Sequence, residues 1–317
     1  MRILITGIAG FIGFNLAKSI HSKDIIIDGI DSLDGFYSNQ LKILRLNQLD
    51  KKINFYEINL LDRISDVLKG KSYDLIIHLA AHAGVRNSSI HPHSYVDSNI
   101  KAHINILELA KEKNASVIYA SSSSVYGNIN DGLSNEISAT DSPLSIYGTT
   151  KKTCEMLSQN YFDKWGINQI GLRFFTVYGR YGRPDMAYWL FTKAAFESKP
   201  IEINGDGTKK RDFTHVSDIV EAIKKIINKK IDSHDIFNIG RNDSRDINYL
   251  ADFISSKINK NQEKIYLSNV NEDVKSTLAC TKKLNNYIDF EPRVSFEDGM
   301  QDFIEWFKEN YKSIKNF

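Results

Sequence analysis

The 317-residue chain is poor in cysteine and proline, and it has neither a long apolar run nor a strong net charge. Its two cysteines, Cys154 and Cys280, lie far apart in sequence, which argues against a disulfide-rich fold and favours two reduced thiols. The apolar N-terminus lacks the charged flank of a signal peptide, and no segment approaches the length of a membrane span. We therefore expect a cytoplasmic protein without a membrane partner.

A formal net charge of +2 gives no reason to expect a nucleic-acid partner. The spacings of His78, His82, His91 and His93 match no metal-ligand rule, so we predict scattered polar histidines and no metal site. A hydrophobic content of 42% and a charged content of 25% are typical of a globular protein. The length suffices for a large core or for two domains.

What the chain does contain begins at its N-terminus, where the apolar segment RILIT is followed by Gly7, Gly10 and Gly13 and then by a helical apolar pattern. Strand, glycine turn and helix are the context of a dinucleotide-binding fingerprint, here with G-x-x-G-x-x-G spacing. Gly7 would permit the tight turn, Gly10 would let the backbone approach a pyrophosphate, and Gly13 would let the helix pack closely on the strand. The helix N-terminus would bind the phosphates. The alternative is an ordinary glycine-rich turn.

Strand and helix patterns alternate along the first half of the chain. After the N-terminal strand, predicted strands lie at 24–31, 53–58, 74–79, 116–121 and 169–174, with helices at 39–49, 61–68, 93–113 and 146–165. Such βαβ units predict an α/β fold with a doubly wound parallel sheet of the Rossmann type. Later, shorter strands at 201–204, 235–239 and 264–267 and helices at 216–229, 247–257 and 296–311 predict a smaller mixed α/β domain that carries the substrate site.

Residues at the ends of the predicted strands suit a nicotinamide dinucleotide. Asp31 ends the second strand, where a carboxylate can accept hydrogen bonds from the adenosine ribose diol and repel a 2′-phosphate. No Arg or Lys follows until Lys42, which favours NAD over NADP. Asn59 follows the third strand, where the adenine edge would lie, although it could instead cap the next helix. A surface aspartate is the alternative for Asp31.

Tyr147 and Lys151 stand four residues apart in a predicted helix, so their side chains share one face. A phenol is a poor base at neutral pH, and a neighbouring ammonium favours the phenolate. Ser122, directly after the fifth predicted strand, could hydrogen-bond the same substrate oxygen as Tyr147. It has neither a His/Asp partner nor a nucleophile elbow, so a nucleophilic role is not indicated. A solvated helix face is the alternative for the Tyr/Lys pair.

Together, the glycine spacing, Asp31, the serine run and the Tyr147/Lys151 pair resemble the extended short-chain dehydrogenase/reductase superfamily of nucleotide-sugar epimerases and dehydratases. The resemblance covers residues 2–311. Five segments are similar to UDP-glucuronate 4-epimerases in particular: HLAAHAGVRNS (78–88), PHSYVDSNI (92–100), YASSSSVYGN (119–128), LRFFTVYGRYGRPDMA (172–187) and NGDGTKKRDFTHVSDIV (204–220). The resemblance implies an NAD-binding Rossmann domain of residues 1–174 and 213–240, and a nucleotide-sugar-binding domain of residues 175–212 and 241–317.

The activity that the resemblance implies is 4-epimerisation of a UDP-uronic acid, UDP-glucuronate to UDP-galacturonate, by a homodimer that keeps its NAD tightly bound. Tyr147 would act as the base at the sugar 4-hydroxyl, Ser122 would orient that hydroxyl, and Lys151 would hold the nicotinamide ribose. The implied cofactor contacts are Gly7, Gly10, Phe11, Ile12, Gly13, Asp31, Asn59, Leu60, Leu79, Ala80, Ala81, Asn99, Tyr147 and Lys151. The implied substrate contacts are Arg86, Ser122, Ser123, Ser124, Tyr147, Thr176, Arg183, Arg211 and Asp273.

Four of the implied substrate contacts have specific partners. Thr176 and Arg183 resemble the carboxylate binders of glucuronate epimerases, and a guanidinium suits a carboxylate because it is planar, bidentate and always charged. Arg211 resembles the residue that meets the UDP phosphates, and Asp273 the one that meets the uridine ribose. The alternatives are a loop arginine paired with a surface acid, a solvated basic run and a loop carboxylate.

Other functions stay open at this point. A 4,6-dehydratase would need Asp and Glu at the positions of Ser123 and Ser124, so dehydration is not expected. The remaining alternatives are a UDP-glucose or UDP-GlcNAc 4-epimerase, a UDP-glucuronate decarboxylase and a catalytically silent NAD-binding regulator. Departures from the family pattern at Asn59, His82 and 180–181 put the fine substrate preference in question.

Overall fold

The computed structural model describes residues 1–35, 37–129, 133–260, 262–268 and 274–314. The strands of these residues are β1 (Arg2–Thr6), β2 (Ile26–Asp31), β3 (Asn54–Glu57), β4 (Leu75–His78), β5 (Ser116–Ser122), β6 (Leu133–Ser134), β7 (Gln169–Phe174), β8 (Thr176–Tyr178), β9 (Ile201–Asn204), β10 (Lys210–His215), β11 (His234–Ile239), β12 (Ser244–Asp246), β13 (Lys264–Leu267) and β14 (Leu278–Ala279).

The α-helices of the same residues are α1 (Phe11–Ile20), α2 (Asn39–Leu46), α3 (Ile64–Val67), α4 (Val85–Ile90), α5 (Pro92–Tyr95), α6 (Ala102–Lys113), α7 (Ile146–Trp165), α8 (Ala187–Phe196), α9 (Val216–Ile227), α10 (Ile247–Ile258), α11 (Lys282–Ile288) and α12 (Phe296–Ile314). A π-helical segment, Val96–Lys101, joins α5 to α6, and a 3₁₀ turn, Ser123–Tyr126, follows β5.

Seven strands form one parallel sheet in the order β11-β7-β5-β4-β1-β2-β3. The chain winds outward from β1 in one direction through β2 and β3, and in the other through β4, β5, β7 and β11. The predicted doubly wound parallel sheet is therefore confirmed. In such sheets ligands bind at the carboxyl ends of the strands where the winding direction changes, which here is the edge between β1 and β4.

Helices cover both faces of this sheet, and side chains of one strand point alternately to the two faces. On β1, Ile3 and Ile5 pack into a core shared with α1 and α9, whereas Leu4 packs into a core shared with α6. Because both faces are buried, the central strands are almost wholly apolar. A third core is built mainly from α8, α10 and α12.

The second half of the chain adds three small sheets: β12-β10-β8, β13-β9 and β14-β6. Strand β8 continues almost directly from the carboxyl end of β7, so the first of these sheets begins at the edge where ligands of the large sheet bind. The strands at 201–204 and 264–267 were predicted, whereas β8, β10 and β12 were not. Three to six residues with mixed burial carry too weak a period-2 pattern for a prediction.

The helix predicted at 93–113 is confirmed as one continuous helical segment, but a π-helical stretch interrupts its α-helical pattern. The segment is divided into α5, the π-helical segment and α6, and the side chain of Asn99 in the π-helical segment turns inward to bond the loop after β4 and helix α7. Such π-helical turns interrupt a helix where a side chain has another task, and periodicity does not reveal them. The helix predicted at 61–68 is shorter in the structure, where it spans only α3.

The prediction of scattered polar histidines is wrong for His78. Its ring is 4% exposed, stacks on the buried ring of His103 at 5.3 Å between centroids, and lies 2.7 Å from the hydroxyl of Thr6. Burial lowers the pKa of His78 well below its usual value and lowers the pKa of His103 to about 3. Both rings are therefore neutral at pH 7 and serve the packing between β4 and α6.

We expect His103 to make the protein less stable in acid. Between the unfolded pKa of 6.5 and the folded pKa of about 3, the unfolded chain binds a proton that the folded chain does not. This contribution to the free energy of unfolding is complete above pH 6.5 and is lost as the pH falls, by about 2 kcal/mol at pH 5. Urea unfolding at pH 7 and pH 5 should therefore show a smaller pH difference for His103→Gln than for the wild type. The exposed His93→Gln should match the wild type, and equal pH differences in all three proteins would contradict the assignment.

The part of the chain that the structure describes contains neither a cluster of metal ligands nor a membrane-spanning helix. No group of three or more His, Cys, Asp or Glu side chains there is placed to hold a metal ion. No described helix combines the length and the apolar composition that crossing a bilayer requires.

Candidate active site

The turn between β1 and α1 is packed too tightly for a side chain at its three glycines, with the shortest contacts at Gly7 and Gly13. Gly7 has a φ of +72°, and a Cβ atom there would lie 2.7 Å from the backbone nitrogen of Ala80. A Cβ atom on Gly13 would lie 2.2 Å from the carbonyl oxygen of Gly7, so α1 rests directly on the turn. Gly10, which precedes α1, supplies no side-chain cap, and the first turn of α1 has no acidic residue. The start of α1 therefore offers uncapped N–H groups at the positive end of the helix dipole.

These features fit the pyrophosphate of a dinucleotide, because an anion can approach the helix end without meeting a side chain at Gly10. Phe11 is buried in the core and Ile12 is half-buried against it, so the polar groups that they can offer a phosphate are those of their backbone. Leu60 is also buried, on the other face of the sheet. The residues present thus suit NAD at this turn through main-chain groups.

Asp31 lies at the carboxyl end of β2 and is almost fully buried. Its carboxylate accepts hydrogen bonds from the N–H of Ala9 at 3.1 Å and of Leu33 at 2.9 Å. The ammonium of Lys42 lies 2.8 Å from the same carboxylate and forms an ion pair with it. Although eleven positions separate the two residues in sequence, helix α2 places Lys42 against Asp31. The carboxylate is thereby fixed beside the glycine turn, where a ribose would lie.

The loop after β4 is tied to helix α7 by Asn99. The Asn99 side-chain amide donates to the carbonyl of His82 and to the hydroxyl of Thr150, both at 3.0 Å, and its oxygen accepts from the N–H of His82 at 2.8 Å. The half-buried residues 79–81, predicted as cofactor contacts, open this loop next to the glycine turn. Asn99 is also a predicted cofactor contact. Its side chain hydrogen-bonds to His82 and Thr150, and these bonds position the loop.

The serine run lies where β5 ends. Ser121 donates to Oε1 of Glu155 at 2.6 Å, and the next side chain along the strand, Ser122, points to the opposite side. The hydroxyl of Ser122 accepts from the N–H of Ser124 at 3.1 Å and thus caps the 3₁₀ turn that contains Ser123 and Ser124. All three predicted substrate serines therefore lie in one short turn at the carboxyl edge of the sheet.

Helix α7 packs its N-terminus against this turn. A Cβ atom on Gly148 would lie 2.5 Å from the carbonyl oxygen of Ser124, so only glycine allows the approach that brings Tyr147 beside the serines. The hydroxyl of Tyr147 makes no hydrogen bond to another described residue. Lys151, one turn further on, is 4% exposed and donates to the carbonyl of Ala120 at 3.0 Å. The close approach at Gly148 is not predicted from sequence, although a glycine directly after Tyr147 was an available signal.

Beneath the serine turn lies a buried ion pair that joins α7 to β7. Arg173 donates to both carboxylate oxygens of Glu155, at 2.7 and 2.8 Å. The hydroxyl of Tyr126 accepts from Arg173 at 2.8 Å and donates to Asn238 at 2.6 Å. Pairing with Glu155 raises the pKa of Arg173 despite its burial. Because Glu155 also accepts from Ser121, this network holds the end of β5 and helix α7 in one arrangement.

Arg183 reaches the loop after β4 at a carbonyl that Tyr95 also bonds. Its guanidinium pairs with the carboxylate of Asp185 at 3.0 Å and 2.5 Å, and Nη2 lies 3.4 Å from the carbonyl of Ala83. Tyr95 donates to that same carbonyl at 3.0 Å, and its ring meets the ring of Tyr147 edge-on at 6.2 Å between centroids. The Arg183–Asp185 ion pair thus lies on the far side of Tyr95 from the candidate base.

The remaining predicted residues lie further out or outside the described chain. Thr176 is half-buried at the start of β8, and Arg211 lies on β10 with its guanidinium donating to the carbonyl of Lys210 at 2.7 Å. Arg86 is exposed on α4 and makes no hydrogen bond or ion pair to another described residue. Asn59 is exposed and accepts from the N–H of residue 61 at 3.0 Å. This bond lies in a turn ahead of α3, whose cap is Arg63, so the alternative role of Asn59 as a helix cap is wrong. Asp273 lies outside the described residues.

Known proteins resemble this chain in sequence and in fold. Residues 3–240 match the family described as NAD dependent epimerase/dehydratase. The chain belongs to this family. The UDP-glucuronate 4-epimerase of Thermodesulfobacterium geofontis is 38% identical to this member over 319 residues, which cover 99% of this chain and 98% of that protein.

Two solved structures of epimerases are similar to this family member over nearly its whole length. The UDP-glucuronic acid 4-epimerase from Bacillus cereus, in complex with UDP-glucuronic acid and NAD, has a TM-score of 0.93 and 33% identity, covering 98% of this chain and 100% of that one. The UDP-glucose 4-epimerase from Thermotoga maritima, with UDP-glucose, has a TM-score of 0.88 and 26% identity at the same coverage. The family membership predicted from the motifs is confirmed.

Proposed function

We propose that this protein is an NAD-dependent 4-epimerase that interconverts UDP-glucuronate and UDP-galacturonate. The observation that carries the proposal is the position of the Arg183 guanidinium at the carbonyl of Ala83, which Tyr95 also bonds next to the ring of Tyr147. This position lies at the carboxyl edge of a sheet whose glycine turn suits a dinucleotide. A permanently charged, planar group there matches the one feature that separates a uronic acid from a neutral hexose. The full-length similarity to UDP-glucuronate 4-epimerases supports the same substrate.

Three side chains of the chain would perform the proton chemistry. Tyr147 takes the proton of the sugar 4-hydroxyl and later returns it, and its hydroxyl is available because no described residue bonds it. Ser122 orients the 4-hydroxyl from the serine turn. Lys151 favours the phenolate of Tyr147 through its positive charge. When bound, the nicotinamide would supply a reversible acceptor for the hydride of the sugar C4.

Arg183 would also protect the sugar from decomposition. The 4-keto form of a glucuronate is a β-keto acid, which loses CO₂ readily when its carboxylate aligns with the carbonyl π system. A guanidinium that holds the carboxylate out of that alignment suppresses the loss, and the pair with Asp185 keeps Arg183 itself in place. This chemistry separates the proposed epimerase from a UDP-glucuronate decarboxylase.

The test is incubation of the purified protein with UDP-glucuronate and no added NAD, followed by NMR of the sugar. We expect the galacto epimer to accumulate, since NAD is retained through purification and regenerated in each turnover. A pentose product would instead indicate decarboxylation. The absence of any reaction, also after NAD is added, would contradict the proposal.

Arg183→Ala should selectively weaken binding of the uronic acid. Loss of a charge-assisted hydrogen-bond pair corresponds to about 1.5–3 kcal/mol, which is about a ten- to hundredfold rise in KM for UDP-glucuronate. UDP-glucose binding should change little. The control is Arg180→Ala on the same loop, because Arg180 is exposed and pairs with Asp302. An equal loss of affinity for both sugars would argue against a carboxylate contact.

We further propose a division of labour in which residues 1–174 and 213–240 hold NAD and residues 175–212 and 241–317 hold the nucleotide sugar. In support, all strands of the large sheet fall in the first set, and α8, α10 and α12 build a separate core in the second. Helix α11 is an exception in packing, since Leu284 and Ile288 join the core of the large sheet. The roles of Arg211 at the UDP phosphates and of Asp273 at the uridine ribose stay predictions.

A homodimer is proposed through the long helices α6 and α7. Met156 and Trp165 on α7 are 63% and 41% exposed, and pairing with a second copy would cover such apolar surface. Light scattering should give twice the mass of one chain. We place the enzyme in the cytoplasm, where reduced thiols are maintained, because Cys154 and Cys280 are both free.

A further inference from the structure

Arg45 on helix α2 is a buried arginine that hydrogen-bonds to main-chain oxygens instead of a carboxylate. Its side chain is fully buried. Nη1 donates to the carbonyl of Ala9 at 2.9 Å and to the hydroxyl of Tyr37 at 3.0 Å. Nε donates to the carbonyl of Tyr181 and Nη2 to the carbonyl of Gly182, both at 3.0 Å. Within the described residues, no carboxylate oxygen lies within 4.0 Å of this guanidinium.

A buried charge without a counter-ion is costly, and it persists only where many oriented dipoles compensate it. The planar guanidinium reaches three carbonyls in different directions, which the point charge of a lysine ammonium does not reproduce. A simple packing role would be served as well by an apolar side chain. The donor geometry of Arg45 therefore fits the particular carbonyls that it bonds.

The acceptors belong to two loops of the site. Ala9 lies in the glycine turn, and its N–H donates to Asp31. Tyr181 and Gly182 directly precede Arg183 in the loop that crosses from β8 to α8. Arg45 is thus bonded both to the turn that suits the cofactor and to the two peptides that carry Arg183.

The second loop has an unusual backbone that needs external support. Tyr181 adopts a positive φ of +59°, which is rare for a residue with a side chain. Its ring packs against Phe14 of α1 at 5.0 Å and against Trp306 of α12 at 4.8 Å between centroids. A Cβ atom on Gly182 would lie 1.7 Å from the hydroxyl of Tyr188. The carbonyls of this loop are therefore aimed at Arg45 by a conformation that would not form unaided.

We propose that Arg45 is a positioning residue for substrate specificity: by bridging the glycine turn and the Tyr181–Gly182 peptides, it holds Arg183 at the distance from the cofactor site that a uronate carboxylate requires. The inference rests on the proposed function. It assigns selectivity to a side chain that is shielded from the substrate. The bridge sets the place of Arg183 relative to the cofactor turn rather than the charge of the pocket.

The experiment compares the dissociation constants of UDP-glucuronate and UDP-glucose by calorimetry in the wild type, Arg45→Lys and Arg45→Met. We expect the preference for UDP-glucuronate to fall about tenfold in both variants, because a displaced Arg183 guanidinium no longer has the geometry for a bidentate pair with the carboxylate. Binding of UDP-glucose should stay within about threefold, since the neutral sugar does not depend on Arg183. Arg45→Lys keeps the charge and provides a folded protein if Arg45→Met does not fold.

A matched control separates this role from general loosening of α2. Leu41 lies one turn away on the same helix, is fully buried in the third core and makes no contact to either loop through hydrogen bonds. Leu41→Ala should lower the melting temperature but leave the ratio of the two dissociation constants within about twofold of the wild type. An equal drop in that ratio for Leu41→Ala, or an unchanged ratio in Arg45→Lys, would overturn the inference.

Arg183→Ala distinguishes failure of this inference from failure of the proposed function. If Arg183→Ala removes the preference for UDP-glucuronate while the Arg45 variants keep it, the carboxylate site stands and the positioning role is wrong. If the wild type shows no preference, or Arg183→Ala leaves it unchanged, both the substrate assignment and the inference fail.

Discussion

Tyr147→Phe should lower turnover of UDP-glucuronate by about 10²–10⁴-fold, the usual contribution of general acid–base catalysis, while the protein keeps its NAD. The substitution removes one oxygen that bonds no described residue, so the fold and the contact of the ring with Tyr95 persist. Turnover is measured by NMR of the sugar, and NAD by its release on heat denaturation. The combination of lost turnover with full NAD content identifies the phenol as the proton carrier.

The control is Tyr249→Phe, which removes a hydroxyl bonded to Glu297 on an exposed helix face. Its turnover and NAD content should both match the wild type. Appreciable residual turnover in Tyr147→Phe would refute the assignment of the base. A loss of NAD together with turnover would show that Tyr147 acts in holding the cofactor rather than in proton transfer.

Gly13→Ala should yield folded protein that has lost its NAD. The added methyl group would lie 2.2 Å from the carbonyl oxygen of Gly7. Because this oxygen belongs to the backbone, it cannot rotate away as the end of a flexible side chain could. Helix α1 must therefore lift from the turn, at an overpacking penalty of about 1–3 kcal/mol. If that penalty falls on the cofactor site, affinity for NAD drops about five- to 150-fold. NAD content of the purified protein and NAD titration by fluorescence measure the effect directly.

Gly70→Ala is the matched control for the methyl group itself. Gly70 also has a positive φ, of +74°, but a Cβ atom there would meet nothing within 4 Å. Only the strain of the left-handed conformation remains, about 1–2 kcal/mol of stability, and NAD content should be unchanged. Full NAD content in Gly13→Ala would show that the close contact of α1 with the turn is not what shapes the cofactor site.

Local patterns in the sequence were sufficient for the main elements of the fold. The apolar runs of β1 and β4 predict buried parallel strands because both faces of the sheet are covered. Helix α7 carries a helical period of buried positions from Gly148 to Tyr161. Short strands such as β8 and the π-helical segment before α6 escaped prediction, because their conformations depend on contacts made elsewhere in the chain.

The candidate site divides in the same way. Tyr147 and Lys151 could be found from sequence because a spacing of four residues on a helix places two side chains together in any context. Lys42 and Asp31 are eleven positions apart with a loop between them, so no spacing rule predicts their 2.8 Å ion pair. The close contact of Gly148 and the hydrogen bonds of Asn99 to protein groups escaped prediction for the same reason, since their partners come from other segments of the chain.

By itself, the sequence determined the class of this protein: a dinucleotide turn, a parallel sheet around it and a tyrosine–lysine pair on one helix. Each of these follows from periodicity and spacing within a few residues, where covalent geometry fixes which side chains are neighbours. Only the tertiary structure decided how the site is held together: Arg45 between two loops, Asn99 between a loop and a helix, and Arg183 at the carbonyl of Ala83. Those contacts join residues 36 to 136 positions apart, and only packing of the whole chain brings such groups within hydrogen-bonding distance.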